Sequence, residues 1–440
     1  MASFCVGSCG SGNLTLNPVH PPFQLPGEPG NLVLRYPEGF EFTNASEASS
    51  ASSRQSTQDH PATATSATGT STSTAYFRTT PTPGVRNINW PPYAIDNNHG
   101  DMAVHALSPN ATHHGGSIEY DFHNLYGHQI LRATYEALLR VFPGKRPFII
   151  GRSTFAGSGK WAGHWGGDND SKWSAMAFSI SQALSFSIFG IPMFGVDTCG
   201  FNGNTDYELC ARWMQLSAFF PFYRNHNALS AIPQEPYVWS SVIDASKKAM
   251  HIRYSLLPYI YTLFALANRD GDTVMRALAW EFSNEPWLAN ADRQFMLGGA
   301  VMVTPCLTQN ASTVDGVFPG VGHGTVWYDW YEQNAVDGVK SGQNITIDAP
   351  LGHIPVYLRG GHIIPTQKPG LTTAASRQNP WDLIVALDKS GVSEGKLYLD
   401  DGESLLPAAI TWVKVSPREV KYMLSFILTL LVSYLPRGPR

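Results

Sequence analysis

Between Gly151 and Asn169 the chain concentrates residue types suited to handling a sugar: Arg152, Trp161, His164, Trp165 and Asp168, set among glycines. A carboxyl moves protons, a guanidinium steadies a carboxyl or a hydroxyl, and indole faces stack on the apolar faces of pyranose rings. Cleavage of a glycosidic bond usually takes a second carboxyl flanking the same bond. This stretch supplies one carboxyl of such a pair.

Further candidates follow at similar positions. Asp197 closes the apolar run in Phe194-Gly195-Val196-Asp197-Thr198-Cys199-Gly200-Phe201, and His226 sits in Arg224-Asn225-His226-Asn227. Each has a plainer reading: Asp168 as a turn or cap residue, Asp197 as an N-cap, His226 as a satisfied core histidine, Trp165 and Phe201 as packing. Shared placement at strand ends favours the chemical reading, because the carboxyl ends of barrel strands form the active face.

The elements that must position these residues alternate regularly. Leu125–Phe142 has helical spacing and stops at Pro143-Gly144; Pro147–Arg152 reads as a strand, with Asp168 in the loop after it. Residues 171–189 form a helix with Trp173, Met176, Ala177, Ile180 and Leu184 on one stripe. Ile191–Asp197 is a strand, 205–218 a helix, and Phe219–His226 a strand. One long helix is expected over Ser241–Ala267, then a strand at Thr273–Leu278. The alternation predicts four strands of a parallel sheet covered by helices, which suits half of an eight-stranded barrel. After Gly298 short strands (Val301–Pro305, Val326–Trp330, Ile345–Ile347, Val356–Leu358) are punctuated by Gly, Pro and Asn and predict an antiparallel β-domain. The β texture continues through Gly395–Ser404 and is lost from about Ile410.

The expected fold class is therefore α/β plus β: the C-terminal half of a (β/α)8 barrel, then an antiparallel β-sandwich domain, preceded by a Ser/Thr-rich loop. The expected divisions are 1–117, irregular with a disordered Ser/Thr-rich stretch at about 43–84; 118–297, the half-barrel; 298–385, a proximal β-domain; and 386–440, the start of a distal β-domain with an aberrant tail.

A net charge of −4 with 15% charged residues gives no electrostatic case for nucleic acid or an anionic membrane. The apolar run Met423–Leu435 is too short to span a bilayer. The five cysteines predict Cys5–Cys9 and Cys199–Cys210 bridges, with Cys306 free and buried. Sequons at Asn13, Asn44, Asn110, Asn310 and Asn344 favour an oxidising secretory route. Asn169 also heads a sequon, where a glycan would obstruct the candidate site. No signal peptide opens the chain, which conflicts with that route and leads to the expectation of a missing N-terminal part. His113-His114 lacks supporting ligands and reads as a solvated loop; no metal or organic cofactor is expected.

At these residues the chain resembles glycoside hydrolase family 31, specifically the secreted fungal α-glucosidases. The resemblance rests on Phe4–Cys9, His123–Gly127, Arg146–Asn169, Gly190–Phe201, Phe219–Asn227, Gly320–Trp330, Leu351–Pro365 and Leu397–Ser404. It implies that Asp168 is the general acid/base, that Arg152 contacts the glucosyl unit near that acid, and that Asp197 and His226 hydrogen-bond sugar hydroxyls. Trp165 and Phe201 are implied as pocket walls. Burial of Asp168 is expected, to keep it protonated near neutrality. The family's nucleophile is an Asp in a Trp-x-Asp-Met-x-Glu stretch just before the segment that here follows Met1-Ala2, so no residue of this sequence is carried over as nucleophile. The implied activity is a retaining α-glucosidase acting on α-glucans or oligosaccharides, with the 440 residues alone expected to be inactive. A non-catalytic sugar-binding remnant, and a family α-xylosidase or transglucosidase, are the alternatives.

Overall fold

A computed structural model describes residue 107 and residues 111–416. The expected Cys5–Cys9 bridge, the sequons Asn13, Asn44 and Asn110, and the run Met423–Leu435 lie outside the described residues.

The chain divides into two units. In the first, residue 107 and residues 111–130 and 153–155 are described. There the carboxyl of Glu119, which opens a one-turn helix Glu119–Phe122, is 2.8 Å from the His113 imidazole and 3.6 Å from that of His123.

The second unit carries the candidate site residues. Its parallel strands are β1 (Ile150–Gly151), β2 (Gly163–Trp165), β3 (Phe194–Gly195), β4 (Asp197–Thr198) and β5 (Arg224–Asn225). β2 pairs in parallel with β1 and β3, and β4 pairs in parallel with β5. Only Val196 separates β3 from β4, so the two form one path, and the layer holds four parallel strand positions. The strand between Arg152 and Asp168, β2, was not expected: Asp168 follows β2 and not β1. Expected helices appear as Trp173–Ile188 and Tyr207–Ser217. The first buries Met176, Ile180, Ala183 and Ser187 at helical spacing against Phe194 and Val196, and Trp173, Ala177 and Leu184 flank that face half-buried. Asp206 caps the second, accepting from the Glu208 and Leu209 N–H groups at 2.9 Å each.

The single long helix expected over Ser241–Ala267 is instead two, Ser240–Ser255 and Leu257–Asp270, joined at Leu256. Pro258 explains the break, since its ring cannot sit against the carbonyl four residues earlier and it offers no N–H.

The strand expected over Thr273–Leu278 forms as β6 (Met275–Ala277), but it is not a barrel strand. It pairs antiparallel with β7 (Phe295–Leu297) at the edge of a five-stranded antiparallel sheet. From that edge the order continues β7, β8 (Val301–Val303), β12 (Val356–Arg359) and β10 (Trp327–Asp329). The intervening β9 (Thr313–Gly316) and β11 (Ile345–Asp348) form a separate antiparallel pair. Both faces of the large sheet are buried. Phe295, Leu297, Val301, Val303, Val356 and Leu358 join the core of the barrel helices. Met296, Met302 and Tyr357, one residue out of phase, pack with Phe318, Trp327 and Ile347. Each large buried side chain contributes roughly 1.5–3 kcal/mol of burial free energy.

Two more antiparallel pairs follow: β13 (His362–Gln367) with β14 (Trp381–Ala386), and β15 (Gly395–Leu399) with β16 (Thr411–Val415). The strand β16 corrects the expectation that regular structure ends near Ile410. A buried carboxyl ties this end to the barrel side. Asp400 accepts from Tyr261 Oη at 2.6 Å, Tyr398 Oη at 2.9 Å, the Gly402 N–H at 2.8 Å and Arg146 Nη2 at 2.9 Å. These donors outweigh burial, which alone would raise the Asp400 pKa, and hold it below the usual carboxylate range. Arg212 does similar work elsewhere, donating from the helix Tyr207–Ser217 to the carbonyls of Ala311, Ala349, Pro350 and His353.

Candidate active site

The strand ends gather the expected residues. Arg152 follows β1 and Asp168 lies three residues beyond β2; their side chains form an ion pair, Arg152 Nη1 to Asp168 Oδ2, at 3.1 Å. Gly167 makes the approach feasible. It sits at φ +76°, and a Cβ there would come within 2.8 Å of Arg152 Nε. The expected burial of Asp168 is not found: its side chain is 43% exposed.

Asp197, on β4, is the buried carboxyl, at 1% exposure. Arg224, on the neighbouring β5, donates to its Oδ1 from Nε at 3.0 Å and from Nη2. Oδ2 of Asp197 has no hydrogen-bond partner among the described residues. Burial pushes the Asp197 carboxyl above its ordinary range; Arg224 and His226 pull it down without cancelling the rise, and Asp168 adds to it. The Arg224 guanidinium also lies 5.2 Å from the Trp165 ring centre and 5.9 Å from that of Phe222. His226 is exposed, one residue past β5, with its ring 5.3 Å from that of Phe201.

The loops that carry these groups are knitted together. Cys199 and Cys210 are joined by a disulfide that anchors the loop after β4 to the helix Tyr207–Ser217, and Cys306 is free and buried. Gln234 Nε2 donates to the carbonyls of Thr198, Gly200 and His226 at 3.2, 2.9 and 3.3 Å. His164, on β2, is buried and stacks on Phe186 at 3.9 Å between ring centres. Burial, and then the nearby Arg152 charge, press its pKa down to about 4. It is a neutral packing residue and not a proton donor at neutral pH. Among the described residues no cluster of His, Cys, Asp and Glu has the arrangement of a metal site.

Arg224 and Gln234 were not singled out from sequence. Arg224 stood inside the quoted Arg-Asn-His-Asn run, and a strand-end arginine beside a candidate histidine was its available signal. Nothing local announced Gln234.

Acidic, cationic and aromatic side chains thus stand at the ends of consecutive parallel strands, backed by an antiparallel β-domain, an arrangement suited to a sugar-binding barrel site. Comparison with known proteins makes the assignment specific. Residues 45–263 match the glycosyl hydrolases family 31 TIM-barrel domain, and residues 271–364 match the glycosyl hydrolase family 31 C-terminal domain. The chain belongs to glycosyl hydrolase family 31. It is 66% identical over 411 residues to an alpha-glucosidase of Aspergillus oryzae, covering 92% of this chain and 41% of that protein. It is 67% identical over 412 residues to an alpha-glucosidase of Aspergillus niger, covering 93% and 41%. Among solved structures, the glucosidase II alpha subunit in its Tris-bound form is similar at a TM-score of 0.65 and 35% identity, over 70% of this chain and 33% of that one. The chain thus spans about two-fifths of the length of these curated relatives.

Proposed function

We propose that this chain supplies the acid/base half of a retaining α-glucosidase site that releases glucose from α-linked gluco-oligosaccharides. The observation that carries the reading is the Arg152–Asp168 pair at the end of β2, beside the buried Asp197–Arg224 pair at the end of β4. Asp168 gives its proton to the glycosidic oxygen as the bond to the anomeric carbon breaks. A carboxylate nucleophile takes that carbon, and Asp168 then takes a proton from the water that hydrolyses the glucosyl-enzyme. The exposed imidazole of His226 suits a sugar hydroxyl, the family resemblance assigns the same role to Asp197, and Trp165 and Phe201 offer ring faces. No residue of the sequence matches the nucleophile, so the 440 residues by themselves are expected to show no turnover. The names of the Aspergillus relatives support a glucosidase over an α-xylosidase.

The site residues fall within the stretch proposed as barrel, which begins at 118 and, because β6 and β7 lie in the antiparallel sheet, ends before β6 and not at 297; β-structure is proposed from there onward. Secretion and glycosylation are part of the same reading, supported by the disulfide and by the exposed sequon residues Asn310 and Asn344. No helix among the described residues is long and apolar enough to cross a membrane.

The test joins the upstream region of the Aspergillus niger relative to the front of residues 1–440. The chimera is expected to hydrolyse maltose with retention of anomeric configuration. Asp168→Asn, folded by circular dichroism, is expected to lose about 100- to 10,000-fold in rate. Undiminished turnover by Asp168→Asn, preferential turnover of α-xylosides, or saturable maltose binding without turnover would each overturn the proposal.

A further inference from the structure

We propose that Asn169 and Asn202 are positioning residues that together fix the backbone of Asp168; the inference rests on the acid/base role assigned to Asp168 above. The Asp168 side chain is half-exposed, so packing does not hold it, and its location depends on the loop that carries it. That loop is zipped to the segment after β4. Asp170 and Asn202 form a parallel β-bridge, and the Ser171 N–H donates to the Asn202 carbonyl at 2.9 Å. The N–H groups of Phe201 and Asn202 both donate to the Asn169 carbonyl, at 2.6 and 3.1 Å. Gly200 permits this approach: at φ +93°, a Cβ there would lie 2.5 Å from Ser171 N.

Two carboxamides complete the clasp. Asn169 Nδ2 donates to the Asp197 carbonyl at 2.9 Å, and the Asp197 N–H donates back to Asn169 Oδ1 at 3.1 Å. Asn202 Nδ2 donates to the carbonyl of Asp168 itself at 2.8 Å. A carboxamide is the side chain of this length that offers donor and acceptor together. Aspartate at 169 would lack the donor and set a charge against the Asp197 carbonyl. The clasp therefore fixes the separation between Asp168 and Asp197.

The test compares leaving groups in the chimera that carries residues 1–440. Departure of 2,4-dinitrophenol needs little proton donation, while departure of glucose from maltose needs it fully. Asn169→Ala and Asn202→Ala are expected to lower kcat/KM on maltose about 10- to 100-fold. On 2,4-dinitrophenyl α-glucoside Asn202→Ala is expected to stay within about threefold of the unmutated chimera, and Asn169→Ala, which also frees Asp197, to fall less than it does on maltose. An equal fall on both substrates, or no fall, overturns the positioning role and leaves the α-glucosidase reading standing. An unmutated chimera inactive on both substrates would instead undermine that reading. The contact is then judged in the 440-residue chain by amide exchange. Faster exchange of the Asp197 amide in Asn169→Ala supports the clasp; unchanged exchange overturns it.

Discussion

Replacing Arg224 with methionine isolates the energetics of the buried carboxyl. Asp197 is 1% exposed, and Arg224 is its side-chain donor, with Nε at 3.0 Å from Oδ1 and Nη2 on the same oxygen. At that distance and an effective dielectric near 20, the bare attraction is about 5 kcal/mol. The guanidinium is 33% exposed and would regain hydration on leaving, so the net loss is smaller. Stranding one member of a buried pair costs about 3–5 kcal/mol, and the partial exposure places this case near 3. Methionine keeps much of the aliphatic bulk but forfeits the contact with the Trp165 ring, a further pH-independent loss of about 0.5–1 kcal/mol. The main loss depends on pH. Burial raises the folded-state pKa of Asp197, so folding takes up a proton there; that contribution is present below the ordinary carboxylate pKa and fades as pH rises through the raised value. Removing Arg224 removes an opposing pull and raises the value further. The variant should therefore unfold in urea with a deficit of about 3 kcal/mol at pH 7 that is smaller at pH 4, because falling pH protonates Asp197 and removes the stranded charge. Tryptophan fluorescence of the 440-residue chain during urea titration, at both pH values, measures it. An equal deficit at the two pH values, or one under about 0.5 kcal/mol at pH 7, would refute the reasoning.

Two further outcomes follow from the same packing. His164 has a folded pKa of about 4 against 6.5 unfolded, so its contribution is full above pH 6.5 and is lost as pH falls towards 4. The loss is about 3 kcal/mol, and His164→Phe, which fits the stack on Phe186, should remove it; parallel acid-induced loss in both proteins would count against the assignment. The Cys199–Cys210 bridge closes a loop with a sequence separation of 11, for which chain entropy gives about 3 kcal/mol. The double substitution to serine should lower the unfolding midpoint accordingly, and a change below about 1 kcal/mol would show that Gln234 and the Asp206 cap already hold this loop.

The sequence revealed the helices and the layer sequence better than the membership of each strand. An apolar run reads as a strand buried on both faces, and that description fits a parallel barrel strand and a central strand of a doubly covered antiparallel sheet equally. Phe295-Met296-Leu297 and Val301-Met302-Val303 show why: both faces of their sheet are packed, so no alternation survives. The strand at Met275 was legible for the same reason, while its partner was not. The strand β2 was invisible for the opposite reason. Gly163-His164-Trp165 has little strand character of its own and is extended because β1 and β3 flank it. Thr411–Val415, by contrast, does alternate, with Trp412 and Lys414 outward and Val415 buried, and this short period-two signal was available.

At the site, residue types were legible and their partners were not. Asp197 meets Arg224 across 27 positions and Asn169 across 28, separations no local pattern reports. Burial was expected of Asp168 and falls on Asp197 instead, and the placement has a physical logic. A proton donor must meet the glycosidic oxygen while the aglycone, still attached, lies towards solvent, so a half-exposed Asp168 paired with Arg152 suits that task. A group that fixes hydroxyls gains from rigidity, which burial, Arg224 and the neighbouring disulfide give Asp197. The rigid member can then serve as the reference point for the exposed one, and Asn169 is the residue that joins them. The consequence is directional: loosening Asp197 should disturb Asp168 through Asn169, while removing the Asp168 side chain should leave the Asp197–Arg224 pair in place.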